Sequence, residues 1–164
     1  MRPFRRRTFG SFRAFLRELG HQLIHLPALR RAFRHPSIPP AFRERLFLAV
    51  TAVNGCRYCS WAHARAGLAA GLSHEETALL LRGVVALDRS AEVPALWYAQ
   101  AWAEAGGRPP DDAALGTLRA TYGEDTARHL HTLFRAIRFG NLFGNSVDSL
   151  LHRLSRGRLG GNRG

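Results

Sequence analysis

The chain has 164 residues, 24 basic side chains, all of them arginine, against 12 acidic ones, a formal net charge of +12, and a hydrophobic fraction of 46%. That length suits one domain able to bury roughly two thirds of its unfolded surface without staples, and two cysteines do not make a disulfide-stapled secreted scaffold. No apolar run approaches the roughly 20 residues of a membrane span, the longest clear one being Leu46 to Val53, so a membrane-crossing chain is excluded.

The elements read as helices throughout, with no sustained strand alternation, which predicts an all-α, compact multi-helix bundle. Phe12, Phe15, Leu16 and Leu19 form an i, i+3, i+4, i+7 stripe ending at Gly20, and Leu23, Leu26, Leu29 and Phe33 predict a second short helix. Pro36-Ser-Ile-Pro-Pro40 breaks the pattern, and Pro39 and Pro40 are placed to start the next helix, which carries Phe42, Leu46, Val50 and Val53 to a stop at Asn54-Gly55. A helix from Cys56 to about Ala70 comes next, with Gly71 as its stop. Ser73 and Glu76 then form a capping-box pattern opening a helix over Ala78 to Leu81. Helices over Val93 to Ala105 and Asp112 to Tyr122 succeed it. A long pattern from Asp125 to Leu154, interrupted at Gly140 and Gly144, gives way to a Gly/Arg tail with no expected order.

The charge sits at the two ends. Residues 1–34 hold nine arginines and one acid, Glu18; residues 151–164 hold four arginines and no acid; the stretch between holds eleven of each sign. The expected organisation is an Arg-rich amphipathic extension over 1–34, a helical domain over 35–154 and a disordered tail over 155–164. The basic start resembles the charged region of a signal peptide. Arg13, Arg17 and Glu18 interrupt the stretch where an apolar segment would have to lie, so export by that route is not expected and a cytoplasmic location is.

The chemistry concentrates in Asn54-Gly55-Cys56-Arg57-Tyr58-Cys59-Ser60-Trp61-Ala62-His63. On a helix, Cys56 and Cys59 share a face with Cα atoms about 5 Å apart, inside the window a disulfide needs. Bridging them closes so short a loop that it is worth only about 2 kcal/mol, so a redox pair is the stronger reading and a structural staple the weaker. His63 lies at i+4 from Cys59, where an imidazole can accept a thiol proton, and the first-turn position favours a thiolate. If the helices flanking Asn54-Gly55 pair antiparallel, Glu44, ten residues before Asn54, comes level to within about 3 Å with His63, eight after Gly55. Glu44 would then orient His63, and His63 would activate Cys59, with Cys56 as the resolving thiol.

Each residue also has a plainer role open to it. The cysteines can be an ordinary buried pair; Glu44, between Arg43 and Arg45, a solvated surface charge; His63 a surface or core histidine; Tyr58 and Trp61 packing residues. Cys56, Cys59 and His63 offer three metal ligands, but a closed zinc site takes four and no second pair exists. His74, His129, His131 and His152 have no partner at a suggestive spacing.

Glu44, twelve positions before Cys56, with Asn54-Gly55-Cys56-x-Tyr58-Cys59-x-x-x-His63 after it, resembles the alkylhydroperoxidase D and carboxymuconolactone decarboxylase superfamily, in its redox branch. The motif covers about residues 40 to 75, and the helical pattern agrees more loosely from about 20 to 150. The resemblance implies an all-helical fold in homo-oligomers, often trimers or hexamers. It also implies a thiol-dependent peroxidase or disulfide oxidoreductase with Glu44 and His63 as proton relay and Cys56 and Cys59 as redox pair. Substrates would be hydroperoxides or disulfides, and electrons would come from a thiol donor such as dihydrolipoamide or pass to a partner peroxiredoxin. No metal or flavin is implied. The peroxidase prototype has a histidine where this chain has Tyr58, and the decarboxylase branch generally lacks the cysteine pair.

The basic ends lie outside that resemblance. A stripe of phenylalanine and leucine among arginines allows peripheral contact with an anionic membrane, although a helix packed on the domain or on another subunit is the stronger expectation. A nucleic-acid partner is not expected, since no binding motif accompanies the charge. The alternative to an enzyme is a non-catalytic, redox-responsive binding module engaging a membrane or polyanion through its basic ends.

Overall fold

The computed structural model describes residues 6–85, 91–156 and 158–160. Among the described residues seven helices run in order: α1 (Phe12–Ile24), α2 (Leu26–Phe33), α3 (Pro40–Asn54), α4 (Arg57–Ala69), α5 (His74–Leu81), α6 (Val93–Glu104) and α7 (Asp112–Leu154). Among the described residues there is no strand, and no helix is long and apolar enough to cross a membrane. The first five residues and the last four of the basic ends lie outside the described residues.

Local chemistry sets the boundaries that position the site. Pro39 caps α3 with extended backbone and Pro40 opens it, where a missing N–H costs nothing. Asn54 ends it, and Gly55 adopts φ 72°, the left-handed conformation that glycine enters without a Cβ penalty. The chain thereby reverses within two residues, and α4 returns along α3. Ser73 caps α5 by accepting from the Glu76 N–H at 3.0 Å. The Glu76 carboxylate does not reach back to complete a capping box; it turns inward to Arg45.

α3 is the central element, with Leu46, Phe47, Ala49 and Val50 in one core with Leu96, Tyr98, Ala99 and Trp102 of α6 and Leu130, Leu133, Phe134 and Ile137 of α7. A smaller cluster of Leu48, Leu72 and Leu80 lies between α3 and the α4–α5 region. Arg45 is buried inside this framework and bonds both Glu76 and Glu92.

Three glycines behave differently from expectation. Gly20 does not end α1, and Gly140 and Gly144 do not interrupt α7. The break in α7 is at Gly123, φ 79° and ψ 157°, which separates two helical segments at the point expected between Tyr122 and Asp125. α1 buries no residue fully. Phe15 packs among Phe9, Phe139 and Phe143 at centroid distances of 5.4–6.0 Å, while Phe12 and Leu16 stay exposed.

Candidate active site

Cys56 is not in α4 but caps it. Its backbone is extended, φ −80° and ψ 108°, and its sulfur accepts the Cys59 N–H at 3.3 Å, as a serine oxygen would at an N-cap. Both cysteines are free thiols, Cys56 buried with 0% exposure and Cys59 half-buried. The helix start therefore acts on Cys56, which corrects the expectation that Cys59 is the thiol activated there. The Cys59 thiol donates to Cys56, the N–H groups of Cys59 and Tyr58 and the charge of Arg6 add to this, and against the penalty of burial the Cys56 pKa falls to about 6. Cys59 is pushed up, first by the same bond and then by burial, with the Asn141 side chain working the other way. The bond between the two sulfurs thus favours the anion on Cys56 and the proton on Cys59.

One turn along α4, His63 Nδ1 donates to Glu44 Oε2 at 2.8 Å. Glu44 is only 6% exposed, which a solvated surface charge would not be, and its other oxygen lies 3.6 Å from Arg43 Nε. A carboxylate on Nδ1 fixes the tautomer and leaves Nε2 as the basic nitrogen. The expected imidazole-to-thiol bond is not formed among the described residues: the ring faces Glu44 and packs edge-on against Phe47 at 4.9 Å. Trp61, expected to pack, is 69% exposed.

The floor of the site comes from α7 and was not anticipated. Asn54 Nδ2 donates to Asn141 Oδ1 at 3.1 Å, Asn141 Nδ2 to Thr51 Oγ1 at 3.1 Å, and Asn145 Nδ2 to the Asn54 carbonyl at 2.8 Å. Asp148, fully buried, accepts at Oδ1 from Arg57 Nη2 and Tyr58 Oη, both at 2.9 Å, and pairs through Oδ2 with Arg6 Nη1 at 2.8 Å. Gly144 lies against the thiol: a Cβ there would sit 3.0 Å from the Cys56 sulfur. Asn141, Asn145, Asp148 and His152 are buried at i, i+4, i+7 and i+11, and such a polar stripe along an amphipathic helix was the available signal.

Two histidines without an obvious partner in the sequence prove to have one. His129 and His35 converge on Asp125 Oδ2 at 3.6 and 3.2 Å, and His131 bonds the Tyr98 hydroxyl at 3.1 Å. The Ser37 N–H donates to His35 Nδ1, so the ring proton sits on Nε2 and is donated to Asp125, holding that carboxyl below its usual range. Arg128 takes the other Asp125 oxygen. The cluster is a hydrogen-bonded clasp between the α2–α3 turn and α7, apart from the cysteines.

Residues 18–105, more than half of the 164, match the family described as the carboxymuconolactone decarboxylase family. No curated protein and no solved structure matches the chain. The matched segment begins within α1, inside the basic extension, runs through the whole of α3 and α4 with both cysteines, and ends just past α6. An all-α fold with this segment at its centre makes the chain a member of the carboxymuconolactone decarboxylase family.

Proposed function

We propose that the protein is a thiol-disulfide oxidoreductase of the alkylhydroperoxidase type, reducing a hydroperoxide or a disulfide through Cys56 and Cys59. The observation that carries the reading is the hydrogen-bonded pair at the start of α4, with His63 one turn further along the same helix and bonded to Glu44 of α3. Cys59 is the sulfur a substrate can reach, and Cys56 is the sulfur that holds the charge. His63 Nε2 takes the Cys59 proton as that sulfur attacks, and Glu44 stabilises the imidazolium. Losing its proton in the same step, the Cys59 sulfur attacks the outer peroxide oxygen; an S–O bond forms, the O–O bond breaks, and the alcohol leaves with the proton from His63. The Cys56 thiolate attacks the Cys59 sulfenic sulfur; the S–S bond forms and hydroxide leaves, taking up a proton as water. A dithiol such as dihydrolipoamide, or a partner thiol protein, returns the two electrons.

The Tyr58 hydroxyl is committed to Asp148, so His63 supplies the proton transfer. A homo-oligomer in the cytoplasm is part of this proposal. The redox-responsive binding module is disfavoured by the described parts of the basic ends, since Arg6, Arg7 and Gly160 are engaged with the helical domain.

The test is the rate at which the reduced protein loses thiols to cumene hydroperoxide or to a small disulfide. His63→Ala is expected to slow it by about 10²–10⁴-fold at neutral pH. A His63→Ala protein reacting at the wild-type rate contradicts the relay, and a wild type no faster than a free thiol contradicts the activity.

A further inference from the structure

The N-terminal arm is bound to the same stretch of α7 that floors the redox site. Asn145 Nδ2 donates to the Arg7 carbonyl at 2.9 Å, the Phe9 N–H donates to Ser146 Oγ at 3.1 Å, and the Phe9 ring lies 5.7 Å from that of Phe139. The Arg7 guanidinium donates to the Ala103 carbonyl at the end of α6. These ties carry the Arg6 side chain across the α3–α4 turn. A Cβ at Gly55, the residue before Cys56, would sit 3.2 Å from Arg6 Cγ. The guanidinium then pairs with the buried Asp148 and donates to the Gly160 carbonyl, so the described parts of both basic ends meet at Asp148.

We propose that the arm is part of the redox site: Arg6 is the counter-cation of the Cys56 thiolate, and Asp148 is the residue that positions it. The inference rests on the redox reading above and adds to it a residue outside the motif. Cys59 bonds the Cys56 sulfur and the charge of Arg6 acts on it, while Arg6 from the arm and Arg57 and Tyr58 from α4 are all bonded to Asp148 of α7. Asp148 alone would oppose a thiolate, but with two guanidiniums bonded to it the group carries one net positive charge. Arg6 is the more effective of the two, because its side chain is 13% exposed against 44% for Arg57, and a desolvated charge is screened less. A cation fixed there favours the reduced form, since the disulfide has no negative charge to face it. The pair is thereby made a stronger oxidant.

The experiment follows the ultraviolet absorbance of the thiolate against pH in the reduced full chain, for wild type, Arg6→Gln and Arg6→Lys, and measures each protein's equilibrium with glutathione. Arg6→Gln is expected to raise the first thiol pKa by about half a unit to one unit, the low end of what an opposite charge supplies. Its disulfide should become about threefold to tenfold harder to reduce, matching that shift. Arg6→Lys should recover most of both effects, and the difference between Arg6→Gln and wild type should shrink in 1 M salt, where the Debye length is about 3 Å. A merely structural arm would move neither quantity in proportion to charge and salt. If Arg6→Gln superimposes on wild type while the wild-type thiol titrates low, the role of the arm is overturned and the redox reading stands. If the wild-type thiol titrates at its ordinary value, both are overturned.

Discussion

Cys59→Ser is expected to abolish peroxide-dependent thiol oxidation, and Cys56→Ser to stop the same reaction one step later. The two sulfurs differ in access and in charge, so losing each should leave a different species. Without Cys59, the remaining sulfur is the buried one, fully covered and packed against Gly144, and the oxidant has no sulfur to reach. Without Cys56, Cys59 still meets the oxidant, but no neighbour discharges the sulfenic acid, which dimedone should trap and mass spectrometry should find on the Cys59 peptide. Cys56→Ser is expected to give one partial turnover at most and no disulfide. Sulfenic acid on Cys56 in the Cys59→Ser protein would reverse the assignment, and wild-type turnover in either variant would remove the pair from the chemistry.

Arg45→Ala is expected to destabilise the protein by about 3–5 kcal/mol, the typical cost of breaking a buried ion pair from one side. Arg45 is 1% exposed in α3, and its guanidinium holds Glu76 of α5 and Glu92 at the start of α6. Removing it leaves two largely buried carboxylates facing each other with no cation, and removes packing at the helix that carries Glu44. Urea unfolding followed by circular dichroism measures the loss. A change under about 1 kcal/mol would mean that the carboxylates find water or other partners, and that α3 does not depend on this network.

The parts of the fold legible in the sequence are those encoded locally. Pro39-Pro40 and Asn54-Gly55 bound α3 because a missing donor and a left-handed turn are properties of single residues. The Glu44–His63 bond could be read by counting residues on either side of that turn, since two antiparallel helices rise equally. Gly20, Gly140 and Gly144 were misjudged because a helical glycine costs only about 1 kcal/mol, which packing readily overrides, and at Gly144 the approach of Cys56 leaves no room for a side chain. The order of the two thiols turned on where α4 begins: one residue of phase moves Cys56 from the first helical position to the cap, finer than periodicity resolves. Asp148 and Asn141 lie some 90 residues from their partners, with only a polar stripe to mark them. Arg6 carried no signal beyond membership of a basic run, and only the tertiary fold brings it across Gly55 to Asp148.

The proposed chemistry depends on the start of α4 holding Cys56 as a thiolate while Cys59 keeps the proton. The most direct measurement is a carbon NMR titration of the reduced full chain labelled at cysteine Cβ, which reports ionisation at each sulfur whether or not a reagent can reach it. Cys56 is expected to titrate first, near pH 6, with Cys59 staying protonated far above its ordinary range. Two sulfurs titrating together near the ordinary thiol value of about 8.5 would contradict it, leaving a buried cysteine pair with no activated sulfur.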